Sequence, residues 1–200
     1  MCKGTLYIFS GPSGVGKGTL KEKLLSEFAG HLVFSVSATT RKPREGEKDG
    51  REYFFVKRQD FTDLIEKGGF LEHAEYAGNL YGTPRRFVEK LLSEGKDVIL
   101  EIEVNGAMQV MRAMPESVSV FILPPSAEAL AARLRGRGTE DEETVWRRLL
   151  KSREEIERAG MYDYRIVNGD LETAYRELRE VYLKHAGFMR RGEQEEQTCP

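Results

Sequence analysis

"SGPSGVGKGTL", residues 10–20, carries the spacing Gly-x-x-x-x-Gly-Lys between Gly11 and Lys17. The backbone N–H groups of such a glycine-rich turn, with the positive end of a following helix, form a nest for phosphate oxygens. Lys17 adds a point charge suited to β- and γ-phosphates. The residue after the lysine is ordinarily Ser or Thr, whose hydroxyl holds magnesium. Here that place is taken by Gly18, with Thr19 one residue later. A glycine at 18 lets phosphate come close but leaves Mg²⁺ to nucleotide phosphates and water, which suits an ion that gives up water reluctantly. Thr19 still offers a hydroxyl and an N–H to an inner phosphate. The stretch Gly11, Pro12, Ser13, Gly14, Val15, Gly16, Lys17, Gly18 and Thr19 is therefore the expected cradle of a nucleoside triphosphate.

The flanks supply the context this motif needs. "TLYIFS" (5–10) is a short apolar, β-rich run that ends at glycines and reads as a buried strand. "GTLKEKLLSEF" repeats apolar residues at helical spacing through Leu20, Leu24 and Leu25. Further strands are predicted at 32–36, 97–102, 117–123 and 164–168. Helices are predicted between and after them, at 84–95, 104–114, 126–137, 142–160 and 171–191. Strands alternating with helices imply a parallel sheet covered on both faces.

Two segments interrupt that alternation. Residues 35–83 are polar and strand-rich around a short helix near 60–67, and read as an insertion with its own sheet. Residues 133–148, "RLRGRGTEDEETVWRR", are too arginine-rich and glycine-interrupted for core, and read as a lid. The core is thus expected in 1–34, 84–132 and 149–190, with 191–200 a frayed acidic tail.

Composition narrows the class. Lys and Arg number 31 against 33 Asp and Glu, a net charge of −2, so no global basic field points to nucleic acid. No apolar run reaches bilayer length, and "TLYIFS" is too short for a signal peptide. Cys2 and Cys199 stand at the two ends, a poor framework for a disulfide and a worse one for a metal, so the cytoplasm is the expected compartment. Single, scattered His31, His73 and His185 read as surface or packing residues.

The insertion holds a second constellation. Ser37, Arg41, Arg44 and Tyr53 lie along "SVSATTRKPREGEKDGREYFF", and arginines three apart beside a tyrosine can fork a phosphate monoester. "FLEHAEYAGNLYGTP" adds Glu72, Tyr81 and Thr83. A carboxylate can accept from the N1–H and 2-amino group of guanine, and a hydroxyl nearby can donate to O6. Adenine offers a lone pair at N1 instead, so such a site rejects it. Taken singly, the loop reads as solvated, the tyrosines as packing aromatics and Glu72 as a surface acid. Their order behind the phosphate loop is what outweighs those readings.

At this point the chain resembles the guanylate kinases. The resemblance rests on "SGPSGVGKGT", "SVSATTRKPREGEKDGREYFF", "FLEHAEYAGNLYGTP", "ILEIEVNGA", "RLRGRGTE" and "YDYRIVNGD", spread from about Gly4 to Leu178. It implies a P-loop NTPase fold, three layers α/β/α around a parallel sheet, with an inserted GMP-binding subdomain and a lid. It implies transfer of the γ-phosphoryl group of ATP to GMP, and to dGMP, with Mg²⁺. The GMP phosphate would meet Arg41, Arg44, Tyr53 and Tyr81, with Ser37 nearby; the guanine would meet Glu72, Thr83 and Glu103. Similar enzymes usually carry Asp where this chain has Glu103, and often Gln where it has Asn105. Glu101 would be an outer-sphere partner of hydrated magnesium, and Asn168 would lie near adenine. Arg133, Arg137 and Arg148 would join Lys17 in the catalytic set, while Arg147 stays at the surface.

Two further readings belong beside this one. Guanylate-kinase-like modules that bind phosphoproteins keep the fold but tend to lose the donor-site lysine or lid arginines, all of which stand here. A kinase for another nucleoside monophosphate is the other, with Glu103 the residue that leaves base choice open. The sequence does not decide between monomer and homo-oligomer.

Overall fold

The structure, a computed structural model, describes residues 3–136 and 141–187; Cys2, Arg137, Cys199 and the tail at 191–200 lie outside them. Along the chain run β1 (Leu6–Ser10), α1 (Lys17–Glu27), β2 (Leu32–Phe34), β3 (Ser37–Thr39), β4 (Tyr53–Phe55) and α2 (Arg58–Glu66). Then come β5 (Phe70–Tyr76), β6 (Asn79–Pro84), α3 (Arg85–Ser93), β7 (Asp97–Glu101), α4 (Val104–Ala113) and β8 (Val118–Leu123). The remainder is α5 (Ala127–Arg135), α6 (Glu142–Glu157), a short 3₁₀ turn at Ala159–Met161, β9 (Tyr164–Val167) and α7 (Leu171–His185).

Five strands form one sheet in the order β2-β7-β1-β8-β9. Every pairing in it is parallel. Central β1 reads "LYIFS" and is buried throughout, as a strand covered on both faces must be. Side chains alternate across a strand, so β1 feeds two cores. Tyr7 and Phe9 join Leu20 and Leu24 of α1 and Leu178, Val181 and Tyr182 of α7. Leu6 and Ile8 face the other way, onto Val88 and Leu92 of α3 and Ala107 and Val110 of α4. Those two apolar layers make the α/β/α sandwich expected from the alternating pattern.

The polar stretch forms its own four-stranded sheet, ordered β4-β3-β6-β5, closed over Phe61, Phe70 and Ala38. β2 ends at Phe34, two residues short of the predicted strand; the Ser35 N–H still donates to the Ile99 carbonyl of β7 at 3.0 Å before the chain passes to β3. Among the described residues no helix is long and apolar enough to cross a membrane.

Candidate active site

The phosphate loop joins the C-terminal end of β1 to α1, at a switch point where β1 sits between β7 and β8. Parallel sheets of this kind hold ligands at such a point. Three of its glycines have left-handed backbone: Gly11 at φ 139°, Gly14 at 85° and Gly16 at 96°. A Cβ on Gly11 would lie 2.4 Å from the Ile122 carbonyl oxygen, and one on Gly16 would lie 2.4 Å from Asn168 Nδ2. Val15 is fully buried, so it presents only backbone to a ligand. Pro12 is buried too, while Ser13 and Thr19 are exposed.

Lys17 curls back over its own loop and donates to the carbonyls of Gly11 at 2.5 Å and Pro12 at 2.9 Å. In this arrangement the ammonium spans the mouth of the nest it is expected to serve. Two side chains brace the loop from outside. Asn168 donates from Nδ2 to the Val15 carbonyl at 2.8 Å, and its own N–H donates to Leu123. Arg133, on α5, donates to the same Val15 carbonyl at 3.2 Å and to the Asn168 carbonyl at 2.8 Å. Sequence reasoning gave both residues to the nucleotide; the geometry also makes them clamps on the loop's backbone.

The residues expected on the base side are placed by strand register. β5 and β6 run antiparallel with Glu72 opposite Thr83 and Ala74 opposite Tyr81. Period-two alternation then brings Glu72, Thr83 and Tyr81 onto one face. Ser37 lies beside Tyr53 in the β3–β4 register, and Tyr53 meets Tyr81 edge-on with ring centroids 6.0 Å apart. Ser37, Tyr53, Glu72 and Tyr81 line one cleft of about 440 Å³, together with Glu101 and Glu103, while Thr83 is buried beside Glu72.

Glu72 is buried, and Thr83 Oγ1 donates to its Oε1 at 2.6 Å. Burial pushes its carboxyl above the ordinary range, the Thr83 hydrogen bond pulls it back, and the nearby Glu103 charge pushes it up again. Glycines make the room: a Cβ on Gly106 of α4 would fall 2.9 Å from Glu72 Oε2.

Arg41 forms a two-point fork with Glu47, at 2.9 and 3.0 Å, and its guanidinium lies 5.4 Å from the Tyr53 ring centroid. Glu47 also accepts from the Arg44 N–H at 2.7 Å, so one carboxylate shapes the loop that carries both arginines. Its carboxyl is held below the usual range, chiefly by the Arg41 hydrogen bond. Sequence reading missed Glu47 as one more charge in a solvated-looking loop; its spacing, three residues after Arg44, was the available signal. The Arg44 side chain is exposed.

The two half-sites meet at one backbone junction. Ser10 Oγ, at the base of the phosphate loop, donates to the Ile102 carbonyl at 3.0 Å, and Ile102 lines the base cleft. Glu101 beside it pairs with Lys21 of α1 at 2.8 Å. Glu103 pairs with Lys151 of α6 at 3.0 Å. Arg148 stands one turn earlier on that helix, half-buried; Arg147 is exposed, as expected.

Known proteins are similar to this chain over most of its length. The family model for guanylate kinase matches residues 3–185. A guanylate kinase of Nostoc sp. is 53% identical over 180 residues, covering 90% of this chain and 89% of its own. One of Bacillus cereus is 49% identical over 181 residues, covering 90% and 88%. The crystal structure of guanylate kinase from Anaplasma phagocytophilum superimposes with a TM-score of 0.69 at 38% identity, covering 92% of this chain and 87% of that one. The chain belongs to the guanylate kinase family.

Proposed function

We propose that this chain transfers the γ-phosphoryl group of ATP to GMP, and to dGMP, giving ADP and the nucleoside diphosphate. The observation that carries the choice of acceptor is Glu72, a buried carboxylate locked by Thr83 at 2.6 Å in the cleft next to the phosphate loop. A buried acceptor so placed suits the N1–H and 2-amino donors of guanine and leaves adenine's N1 lone pair facing another lone pair.

The division of labour follows from position. Gly11 to Thr19 cradle the triphosphate through backbone N–H groups, and Lys17 exchanges its two loop carbonyls for phosphate oxygens. Arg41, Arg44, Tyr53 and Tyr81, with Ser37 nearby, hold the GMP phosphate. Glu72, Thr83 and Glu103 read the guanine. Arg133, Arg137 and Arg148 meet the charge that builds on the transferred group, and Asn168 supports the loop beside the adenine end. The 35–83 insertion acts as the GMP-binding unit and 133–148 as the lid.

The attacking oxygen belongs to a phosphate already ionised near neutrality, with a second pKa of about 6, so no protein base is needed. Alignment, charge neutralisation and water exclusion then carry the reaction. Mg²⁺ fits on the nucleotide side. Gly18 offers it no hydroxyl, no cluster of three metal-ligating side chains occurs among the described residues, and Glu101 is already shared with Lys21. The ion, when bound with ATP, supplies neutralisation of the β- and γ-phosphate oxygens. Glu101 would hold its water shell in place. The terminal cysteines favour a reducing cytoplasm.

The test is ADP formation from Mg-ATP with GMP, dGMP, AMP, CMP and UMP supplied separately, beside a Lys17→Ala control. Turnover with the guanine nucleotides alone, lost in the control, is expected. Turnover with AMP or a pyrimidine nucleotide would overturn the base assignment. A folded protein that binds GMP without turnover would be a binding module instead.

A further inference from the structure

Glu103 is a flexible carboxylate at the rim of the base cleft, about two-fifths exposed, and Lys151 Nζ lies 3.0 Å from its Oε2. Lys151 lines the same cleft as Glu72 and Tyr81. It projects from α6, one turn after Arg148, and its other carboxylate neighbour is Glu155 at 3.9 Å on the same helix. A second contact fixes where α6 sits. Arg158, just past its end, donates to Asn105 Oδ1 at 2.6 Å, and Asn105 lies two residues beyond Glu103. The start of α4 is thus gripped twice by α6 and its exit, each time by a cation.

We infer that Lys151 is a specificity-determining positioning residue, which aims Glu103 into the cleft and leaves Oε1 to accept from the 2-amino group of a purine. The inference rests on the guanine reading above and extends it to a residue on the helix that carries Arg148. An unanchored glutamate at this place has three rotatable bonds and a solvent-facing rim to wander over. One ammonium contact restricts it without using both oxygens. Lys151 also sets a positive charge beside the Glu103 carboxylate whose like charge bears on Glu72. The groups facing Lys151 and Glu103 are therefore Glu72 from β5, Glu155 and Glu154 from α6 and Arg158 beyond it.

The experiment compares GMP with inosine monophosphate, which lacks only the 2-amino group, in the full chain with Mg-ATP. Lys151→Met is expected to lower kcat/KM for GMP about threefold, the size of an exposed ion pair's effect, and more through KM than through kcat. Inosine monophosphate should change little, so the preference for the 2-amino group falls, while KM for ATP stays put and Lys151→Arg restores the preference. In a Glu103→Asp background, one methylene short of the ammonium, Lys151→Met should add almost nothing, and that double-mutant cycle isolates the pair. Equal losses with both acceptors, a parallel rise in KM for ATP, or full additivity in the cycle would overturn the inference while leaving the kinase reading intact. A wild-type protein that ignores the 2-amino group would instead remove Glu103 from the base site, and this inference with it.

Discussion

Thr83 Oγ1 donates to Glu72 Oε1 at 2.6 Å because β5 and β6 are registered to place the two residues directly opposite. On the proposed function this cross-strand pair reads the base, with its orientation set by the sheet rather than by the ligand. The cost is a carboxylate with little access to water. Glu72→Gln keeps the shape and the Thr83 partner but removes the charge. Its KM for GMP should rise about a hundredfold or more, as expected when a buried acceptor is mismatched to its donors. The same variant should melt higher at neutral pH. Glu72 titrates above its ordinary value in the fold, so its ionisation disfavours folding, and stability is lost as pH rises through the folded value. Below about pH 4, where the wild-type side chain is protonated folded or unfolded, the two melting curves should converge. Calorimetry across pH checks this; a variant that melts lower at pH 7 would contradict it.

On the same proposal, Thr83 is expected to influence the pH at which GMP is accepted. Guanine needs Glu72 ionised, so kcat/KM for GMP should fall on the acid side as Glu72 takes its proton. The Thr83 hydrogen bond lowers that titration, while burial and the Glu103 charge raise it. Thr83→Ala removes the lowering contribution and should move the acid limb to higher pH. An acid limb unmoved in Thr83→Ala would show that the limb reports the GMP phosphate alone.

Asn168 offers a third test. Its Nδ2 is committed to the Val15 carbonyl at 2.8 Å, inside the phosphate loop. Asn168→Ala leaves that carbonyl to Arg133 alone and should raise KM for ATP roughly tenfold, the effect of about one buried hydrogen bond. A loop-supporting role leaves donor preference unchanged, so ATP and GTP should weaken in proportion. A selective loss of ATP would make Asn168 a reader of adenine instead.

Most of the fold was legible because β1 is apolar up to its closing Ser10 and glycines follow it; period and punctuation are local signals. The residues proposed to read the base came together for a similar reason, since Glu72, Tyr81 and Thr83 lie within one hairpin. What stayed hidden were pairings that only the folded chain makes. Glu47 looks like any acid in "TRKPREGEKDGRE" until Arg41 folds onto it. Lys151 is an ordinary helix lysine until α6 lies against the start of α4. Asp97, too, reads as the polar first residue of a strand. Its surroundings come from both ends of the chain, 92 and 90 residues away.

That Asp97 is a stability prediction of its own. It is buried, and its carboxylate accepts from Thr5 N–H at 2.7 Å, Tyr182 Oη at 3.0 Å and Gly187 N–H at 3.1 Å. One side chain thus ties the entry to β1, the start of β7 and the end of α7. Asp97→Ala strands those donors in the interior and should destabilise by about 3 kcal/mol or more. Turnover per folded molecule should hold, since the site lies at the opposite end of the sheet. Denaturant titration with activity measured on the folded fraction checks both halves. Loss of turnover without loss of stability would contradict them.

Gly18 closes the question the phosphate loop raises. It is the second residue of α1, and a Cβ built there meets nothing within 4 Å. Its backbone is not left-handed, unlike that of Gly11, Gly14 and Gly16. Nothing inside the protein therefore requires glycine, and alanine should stabilise the helix by roughly 0.5–1 kcal/mol. If the missing side chain exists to let phosphate approach, Gly18→Ala should melt higher yet bind Mg-ATP about tenfold more weakly, a loss of about 1.4 kcal/mol. Gly18→Ser sharpens the comparison, because it restores a hydroxyl where other phosphate loops use one for magnesium. If serine rescued ATP binding beyond alanine, the metal would accept a protein ligand here and the water-held arrangement would be wrong. If both variants bound ATP as the wild type does, Gly18 would have no ligand role at all.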